Sequence, residues 1–316
     1  MDMRNAFISE LTKLAEKDSS IILIVGDLGF GVVDDFAKTM PDQFLNAGVA
    51  EQNMIGVAAG LALVGRKVFV YSIANFPTFR CLEQVRNDVC YHCLDVTIVS
   101  VGAGVAYGTH GYTHHAVEDI SIMRALPNMT VISPADPLEA TLAARFAVEN
   151  SGPTYLRLGK NGERELHKTT LLNSTLVSPL LVRQGTDLII AATGAIASEC
   201  EIAAEILQEM GIHAQVWTFP IIRPFPKEWI KNLNPKVPIL TVEEHVRDGG
   251  FGSALLEAVS DLHESYHVWR LALKPEHLRT ASSQETLRVL HQIDSVAIAA
   301  FVVKQGLLAE SKKCVY

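Results

Sequence analysis

The sequence predicts an α/β protein built as two doubly wound parallel-sheet domains. Short β-branched apolar runs recur along the chain, each is followed by a helical stretch before the next run, and several end in glycine. A buried parallel strand handing over to a loop has that look. The chain of 316 residues also exceeds what one small core needs and suits about two domains.

The elements follow in order. Ile21–Val25 is apolar throughout and ends in Gly26-Asp27, as a strand buried on both faces should. Met54–Val64 is rich in Ala, Gly and Leu and reads as a helix, with a strand over Lys67–Ser72 behind it. Leu82–Cys90 reads as helix, Val96–Val101 as a strand ending in glycines, and Val131–Ile132 as the start of another strand. Pro137–Glu149 is a helix opened by proline, and Thr154–Leu158 returns to strand. From about Lys168 to Val182 the chain turns rich in Ser, Thr and Leu without a period, which suggests a linker (169–182) between domains 1–168 and 183–316. The second unit is strand Leu188–Ala192, helix Ile196–Met210, strand Ala214–Thr218, strand Ile239–Val242, helix Gly252–Val259 and strand Val268–Leu273. In such sheets function gathers in the loops at the strand C-terminal ends.

Composition narrows the classes. Hydrophobic residues at 48% and charged residues at 20% suit a globular enzyme with a well-buried core. A net charge of −8 and the lack of any Lys/Arg run argue against a nucleic-acid face. The N-terminus lacks a basic start followed by an apolar core, and no uninterrupted apolar stretch spans a bilayer, so a cytoplasmic protein is expected. Five cysteines (Cys81, Cys90, Cys93, Cys200, Cys314) form an odd set and suit reduced thiols. Cys90-Tyr-His-Cys93 has the spacing of a redox or zinc pair, but no second pair follows.

One run is chemically unusual. Between Asn46 and Gly60 a single carboxylate, Glu51, stands among small and apolar residues. Ionisation is disfavoured in such surroundings, so the group reads as a proton handler with a raised pKa, or else as a helix-start acid facing the macrodipole. The flanking Gly and Ala residues let a flat ring approach the backbone. Two further segments stand out: Gly26-Asp27-Leu28-Gly29, and Gly108-Thr-His110-Gly-Tyr-Thr-His114-His115, which runs on into Glu118-Asp119, Arg124-Ala-Leu-Pro127 and Ser133-Pro134-Ala-Asp136.

In this order the segments resemble the pyrimidine-binding domain of transketolase and of 1-deoxyxylulose-5-phosphate synthase. Thr193-Gly194, Glu243-Glu-His245 and Gly249-Gly-Phe-Gly252-Ser253 resemble the C-terminal domain of the same family. The resemblance covers nearly the whole chain. It implies thiamine diphosphate, with Mg²⁺ at the diphosphate. The Gly-Asp-Gly that carries the diphosphate and metal in this family is absent, since Gly26-Asp27 is followed by Leu28. The chain therefore resembles the C-terminal subunit of a split transketolase, expected to work with an N-terminal subunit that brings the metal ligands, in an α₂β₂ heterotetramer at least.

The resemblance implies roles residue by residue. Glu51 matches the glutamate that bonds the cofactor's aminopyrimidine and favours the tautomer able to take a proton from the thiazolium carbon. Phe76 and Phe79 lie where relatives stack an aromatic on that ring. Asp27 matches an aspartate near the thiazolium side. His114 matches the family histidine that reaches the substrate, whereas His115 and His245 suit packing. Arg4 and Lys160 match cations that grip a sugar phosphate, with lysine in place of arginine at the second position. His110 stands where the family has an aspartate on a sugar hydroxyl, and the family's phosphate-binding histidine falls on Gly102. These departures point away from an ordinary pentose phosphate and toward a modified, branched or deoxy sugar. The expected reaction is transfer of a two-carbon ketol unit from a ketose donor to an aldose acceptor. The beta subunit of a 2-oxoacid dehydrogenase shares length, domain pair and glutamate, and a partner subunit without catalysis is the third alternative.

Overall fold

The computed structural model describes residues 1–168, 171–172, 175–262 and 265–307. Cys314 and part of the stretch read as a linker lie outside the described residues. The chain forms β1 (Ile21–Val25), β2 (Phe44–Asn46), β3 (Lys67–Ile73), β4 (Val96–Val101), β5 (Thr130–Ile132) and β6 (Thr154–Leu158). Then come β7 (Leu180–Arg183), β8 (Leu188–Thr193), β9 (Ala214–Thr218), β10 (Ile221–Arg223), β11 (Ile239–Val246) and β12 (Val268–Leu273). They make a seven-stranded sheet in the order β10-β5-β6-β4-β3-β1-β2 and a five-stranded sheet in the order β12-β11-β8-β9-β7. All neighbours pair in parallel except β10 on β5 and β7 on β9. The two-domain α/β expectation holds.

The apolar runs become central strands for a physical reason. β1, β4, β6 and β8 are buried along their whole length, because helices cover both faces of each sheet. Where such a strand carries a charged residue, the residue is paired. Arg157 in β6 is almost fully buried, and its Nε donates to Asp119 at 2.7 Å. Its Nη2 donates to the carbonyls of Ala116 and Glu244, both at 2.8 Å. One guanidinium thereby ties the first sheet to the second domain.

Other clasps cross the same boundary. β10 belongs to the second half of the sequence but closes the first sheet, pairing Ile221 with Ile132. Around it Phe219, Trp229 and Phe251 pack with ring centroids 4.7–4.9 Å apart. Arg124 donates to the Gly249 carbonyl at 2.5 Å and to Glu257 at 2.6 Å. The glycines of the Gly249–Gly252 run are there for space: a Cβ on Gly250 would lie 2.2 Å from a Glu243 oxygen. Glu243 itself accepts the Phe251 and Gly252 N–H groups at 2.6 and 2.8 Å, capping the helix Phe251–Ser260. His245 is fully buried, with burial pulling its pKa down to about 4, and accepts the Ser121 N–H.

Two local expectations need correction. The helix expected from Met54 starts at Glu51, with Ala50 as an N-cap that offers no side-chain acceptor, so no capping residue marked the start. The helix expected over Leu82–Cys90 is π-helical from Val85 onward. Residues 284–304, apolar enough in composition to cross a bilayer, are divided by Gln292 in the left-handed conformation, with Asp294 capping the second piece. The resulting helices of 8 and 10 residues each fall well short of the ~20 residues a bilayer needs.

Candidate active site

The parallel register brings the C-terminal ends of five strands to one edge. Val25 pairs with Asn46 and Tyr71, Tyr71 with Val99, and Val101 with both Ile73 and Leu158. The sequence-predicted residues sit in the loops behind these ends. Across the sheet the order is Glu51 after β2, Asp27 after β1, Phe76 and Phe79 after β3, His110 and His114 after β4, and Lys160 after β6. Far-apart segments thus become one line of side chains.

At one end lies Glu51, the first residue of the helix Glu51–Leu63 and only 3% exposed. Beside it, the nearest atoms to a Cβ on Gly26 are the Gly48 carbonyl, the Glu51 Cγ and the Met54 Sδ, at 3.6, 3.8 and 3.8 Å, and a Cβ on Gly48 would meet nothing within 4 Å. Small residues leave a space beside the carboxylate. Asp27 has φ +55°, and its carboxylate accepts from the Asn46 amide at 3.1 Å while its N–H donates to Asn46 at 3.0 Å. This exchange pins the β1 loop to the strand that leads toward Glu51.

Arg80, which sequence reasoning passed over, completes this end. Its guanidinium donates to Glu51 at 2.8 Å and lies 4.6 Å above the Phe76 ring. Arg80 is 49% exposed, so it can leave without unpacking the core. Phe76 meets His114 edge-on at 5.6 Å, whereas Phe79 is exposed at the end of the short helix Asn75–Thr78. Of the two phenylalanines, only Phe76 joins the line.

The loop 102–116 forms the middle. Gly104 and Ala116 exchange backbone bonds at 3.0 and 2.9 Å and close its neck. Asn75 reaches across to the Thr113 carbonyl at 3.0 Å. His110 and His114 stand with ring centroids 5.0 Å apart. Burial, and then the neighbouring His110, His115 and Lys160, hold the pKa of His114 below the usual histidine value, so it is neutral at pH 7. His115 is buried, with Nε2 at 3.1 Å from the Gly108 carbonyl. Tyr107, a second residue missed from sequence, touches everything here. His110 and His114 lie 5.6 and 5.7 Å from its ring, and the Lys160 ammonium lies 4.7 Å from its centroid. Lys160 also lines a cleft of about 340 Å³ between the domains, with Arg157, Glu244 and Arg288.

Arg4, in the first turn of the helix Met3–Ala15, pairs with Asp2 at 3.1 Å, and its charge acts on the buried Tyr71 hydroxyl. The positive charge of Arg4 also reaches Tyr107. Lys160, on that ring, and Arg4, whose charge reaches it, are far apart in sequence and lie at the end of the site opposite Glu51. No spacing motif marks Arg80 or Tyr107. Both lie in runs that were singled out, but only the folded loops show which member of each run faces the site.

A buried carboxylate, an aromatic face, a histidine-bearing loop and a cationic end on a doubly wound pair of domains define a class, and the similarities to known proteins agree with it. The family description "Transketolase, pyrimidine binding domain" matches residues 1–164, and "Transketolase, C-terminal domain" matches residues 179–298. A putative transketolase C-terminal section from Methanocaldococcus jannaschii is 35% identical over 96% of both chains. An apulose-4-phosphate transketolase subunit from Phocaeicola vulgatus is 36% identical over 82% of this chain and 83% of its own. A 6-deoxy-6-sulfo-D-fructose transketolase subunit from Clostridium sp. is 35% identical over 82% and 81%. Among solved structures, a split-gene transketolase, an inactive beta4 tetramer, superposes with a TM-score of 0.87 at 31% identity, covering 96% of this chain and 98% of its own. The chain belongs to the transketolase family and corresponds to the C-terminal section of its split members. Membership in this family implies dependence on thiamine diphosphate.

Proposed function

We propose that this chain is the catalytic C-terminal subunit of a split transketolase that transfers a two-carbon ketol unit from a ketose donor to an aldose acceptor. The observation that carries the reading is Glu51, buried at a helix start beside glycine-lined space and one contact from the Phe76 ring. That space fits an aminopyrimidine: a carboxylate for a ring nitrogen, an aromatic face for stacking, and no side chain from Gly48 in the way. Thiamine diphosphate supplies carbanion stabilisation when bound. Glu51 holds a proton at the ring nitrogen, and Phe76 orients the ring. Asp27 stiffens the loop on the thiazolium side. His114, neutral at pH 7, can accept a proton or hydrogen bond from a substrate hydroxyl, with His110 beside it. Arg4 and Lys160 take the anionic end of the sugar.

An N-terminal subunit supplies the diphosphate and Mg²⁺ ligands in this proposal, giving an α₂β₂ assembly. Support comes from the outer face of the helix Glu51–Leu63, where Gly56 and Gly60 meet nothing within 4 Å. Val49, Leu63 and Val64 beside them are 74%, 65% and 75% exposed. So apolar a surface calls for a partner. The names of the relatives acting on apulose-4-phosphate and on a sulfosugar support a substrate outside the common pentose phosphates, in keeping with His110 and Gly102.

The test is calorimetric titration of thiamine diphosphate into this chain, alone and with the N-terminal subunit, for wild type and Glu51→Gln. Binding only in the mixture is expected, together with loss of ketol transfer by about 10²–10⁴-fold in the variant and an intact assembly. Undiminished turnover in Glu51→Gln would remove the central role assigned to that carboxylate. Failure of the assembled pair to bind the cofactor would leave a subunit without catalysis.

A further inference from the structure

Tyr107 stands in the space that a side chain at position 102 would need. A Cβ built on Gly102 would lie 2.1 Å from two of the tyrosine's ring carbons, and Gly102 has φ +93° besides. A ring at 107 and a side chain at 102 therefore exclude each other. The ring that takes the space organises its neighbours, with Lys160 against its face and His110 and His114 around it. Its hydroxyl forms no hydrogen bond among the described residues, although it lies in the field of Arg4. Arg4 is itself only partly used: Asp2 takes one terminal nitrogen, but the buried Nε has no partner.

Half-buried phenols and guanidinium nitrogens ordinarily find acceptors. Here two cations and an idle hydroxyl converge, and what they share is unspent donor capacity. A tetrahedral oxyanion has the acceptors to use it, and it would balance Lys160, which pairs with no carboxylate among the described residues, whereas Arg4 already has Asp2. Building on the reading of this end as the place for the sugar's anionic group, we propose that Tyr107 determines specificity there. Its ring seats Lys160, and its hydroxyl donates to a terminal phosphate or sulfonate held with Arg4 and Lys160. The same ring is the reason that position 102 carries no side chain.

The experiment uses the full chain and needs neither cofactor nor turnover. Histidine side-chain ¹H–¹³C spectra report His110 and His114 while inorganic phosphate, or methanesulfonate, is titrated at ionic strength held constant with chloride. Saturable shifts are expected in the wild-type chain. Tyr107→Phe keeps the ring and should weaken the binding about tenfold, as loss of a hydrogen bond to a charged group does. Tyr107→Leu, which also removes the seat of Lys160, should weaken it at least as much. A response to phosphate identifies a phosphate end, and a stronger response to methanesulfonate a sulfonate end. Equal affinity in Tyr107→Phe, or shifts no larger than chloride alone produces, overturns the proposal. Anion binding that is intact and Tyr107-dependent in an enzyme without ketol transfer would sink the proposed reaction and leave this inference standing.

Discussion

Glu51 and Arg80 set the resting state of the site. A carboxylate so deeply buried needs a counter-charge or a hydrogen-bond partner, and in the structure it takes Arg80, which also covers the ring face of Phe76. A ring entering the site would displace a half-exposed side chain rather than core packing. At the same scale, His114 titrates low because of burial first and then because of His110, His115 and Lys160. Replacing His110 by Asn removes one of the groups that hold it down, so the titration of His114, followed by NMR, should move upward. An unchanged midpoint would mean that the two rings do not interact electrostatically.

Among the elements, the segment 165–167 straps the first domain to the second. The Leu166 and His167 N–H groups donate to Asp136 at 2.9 and 3.0 Å, while the other oxygen of Asp136 caps the helix Pro137–Glu149 at the Glu139 N–H. His167 then bonds Glu139 at 2.8 Å, and Glu139 accepts from Thr218 in β9 at 2.5 Å. Burial alone would lower the pKa of His167, but the hydrogen bond and charge of Glu139 outweigh it and hold the value above 6.5. A histidine raised in the folded state contributes stability that is fully present below the unfolded value and is lost as pH rises through the folded one. Denaturant titrations of wild type and His167→Asn should therefore show their largest gap below about pH 6.5, closing as pH rises past the folded value. A gap that widened with pH would contradict this account of the pair.

At the scale of the whole molecule, the domains are joined by Arg157, Arg124, β10 and the aromatic cluster, and the working surface faces outward. Arg157→Leu should cost about 3–5 kcal/mol in chemical denaturation, because it strands Asp119 in a dry interior. A cost below about 1 kcal/mol would show that the Tyr155 hydroxyl, already 2.7 Å from Asp119, satisfies it alone. On the exposed helix face, Gly60→Lys should leave the monomer fold intact or slightly firmer, since lysine favours helix by close to 1 kcal/mol over glycine. It should nonetheless abolish association with the N-terminal subunit in sedimentation. Normal assembly of this variant would move the docking surface elsewhere.

The periodicity of apolar runs determined that the chain folds as two parallel-sheet domains, because strands buried on both faces must be apolar along their length. β1, β4, β6 and β8 were legible for that reason. Glu51 was legible because a lone carboxylate among small residues is chemically costly, and the His110–His115 run because its residue types are dense. β10 was not, since three residues contribute no period and their partner strand lies some ninety residues away. Nor was the role of Arg80 or Tyr107, because a single Arg or Tyr acquires meaning only from what the loops bring against it. Phe76 and Phe79 could not be ranked until the turn of Asn75–Thr78 aimed one inward and left the other exposed. Sequence by itself determined the architecture and the chemical kinds present, since burial and periodicity act locally along the chain. Only the tertiary structure decided which side chains share a site, because the sheet register aligns segments that the sequence keeps far apart.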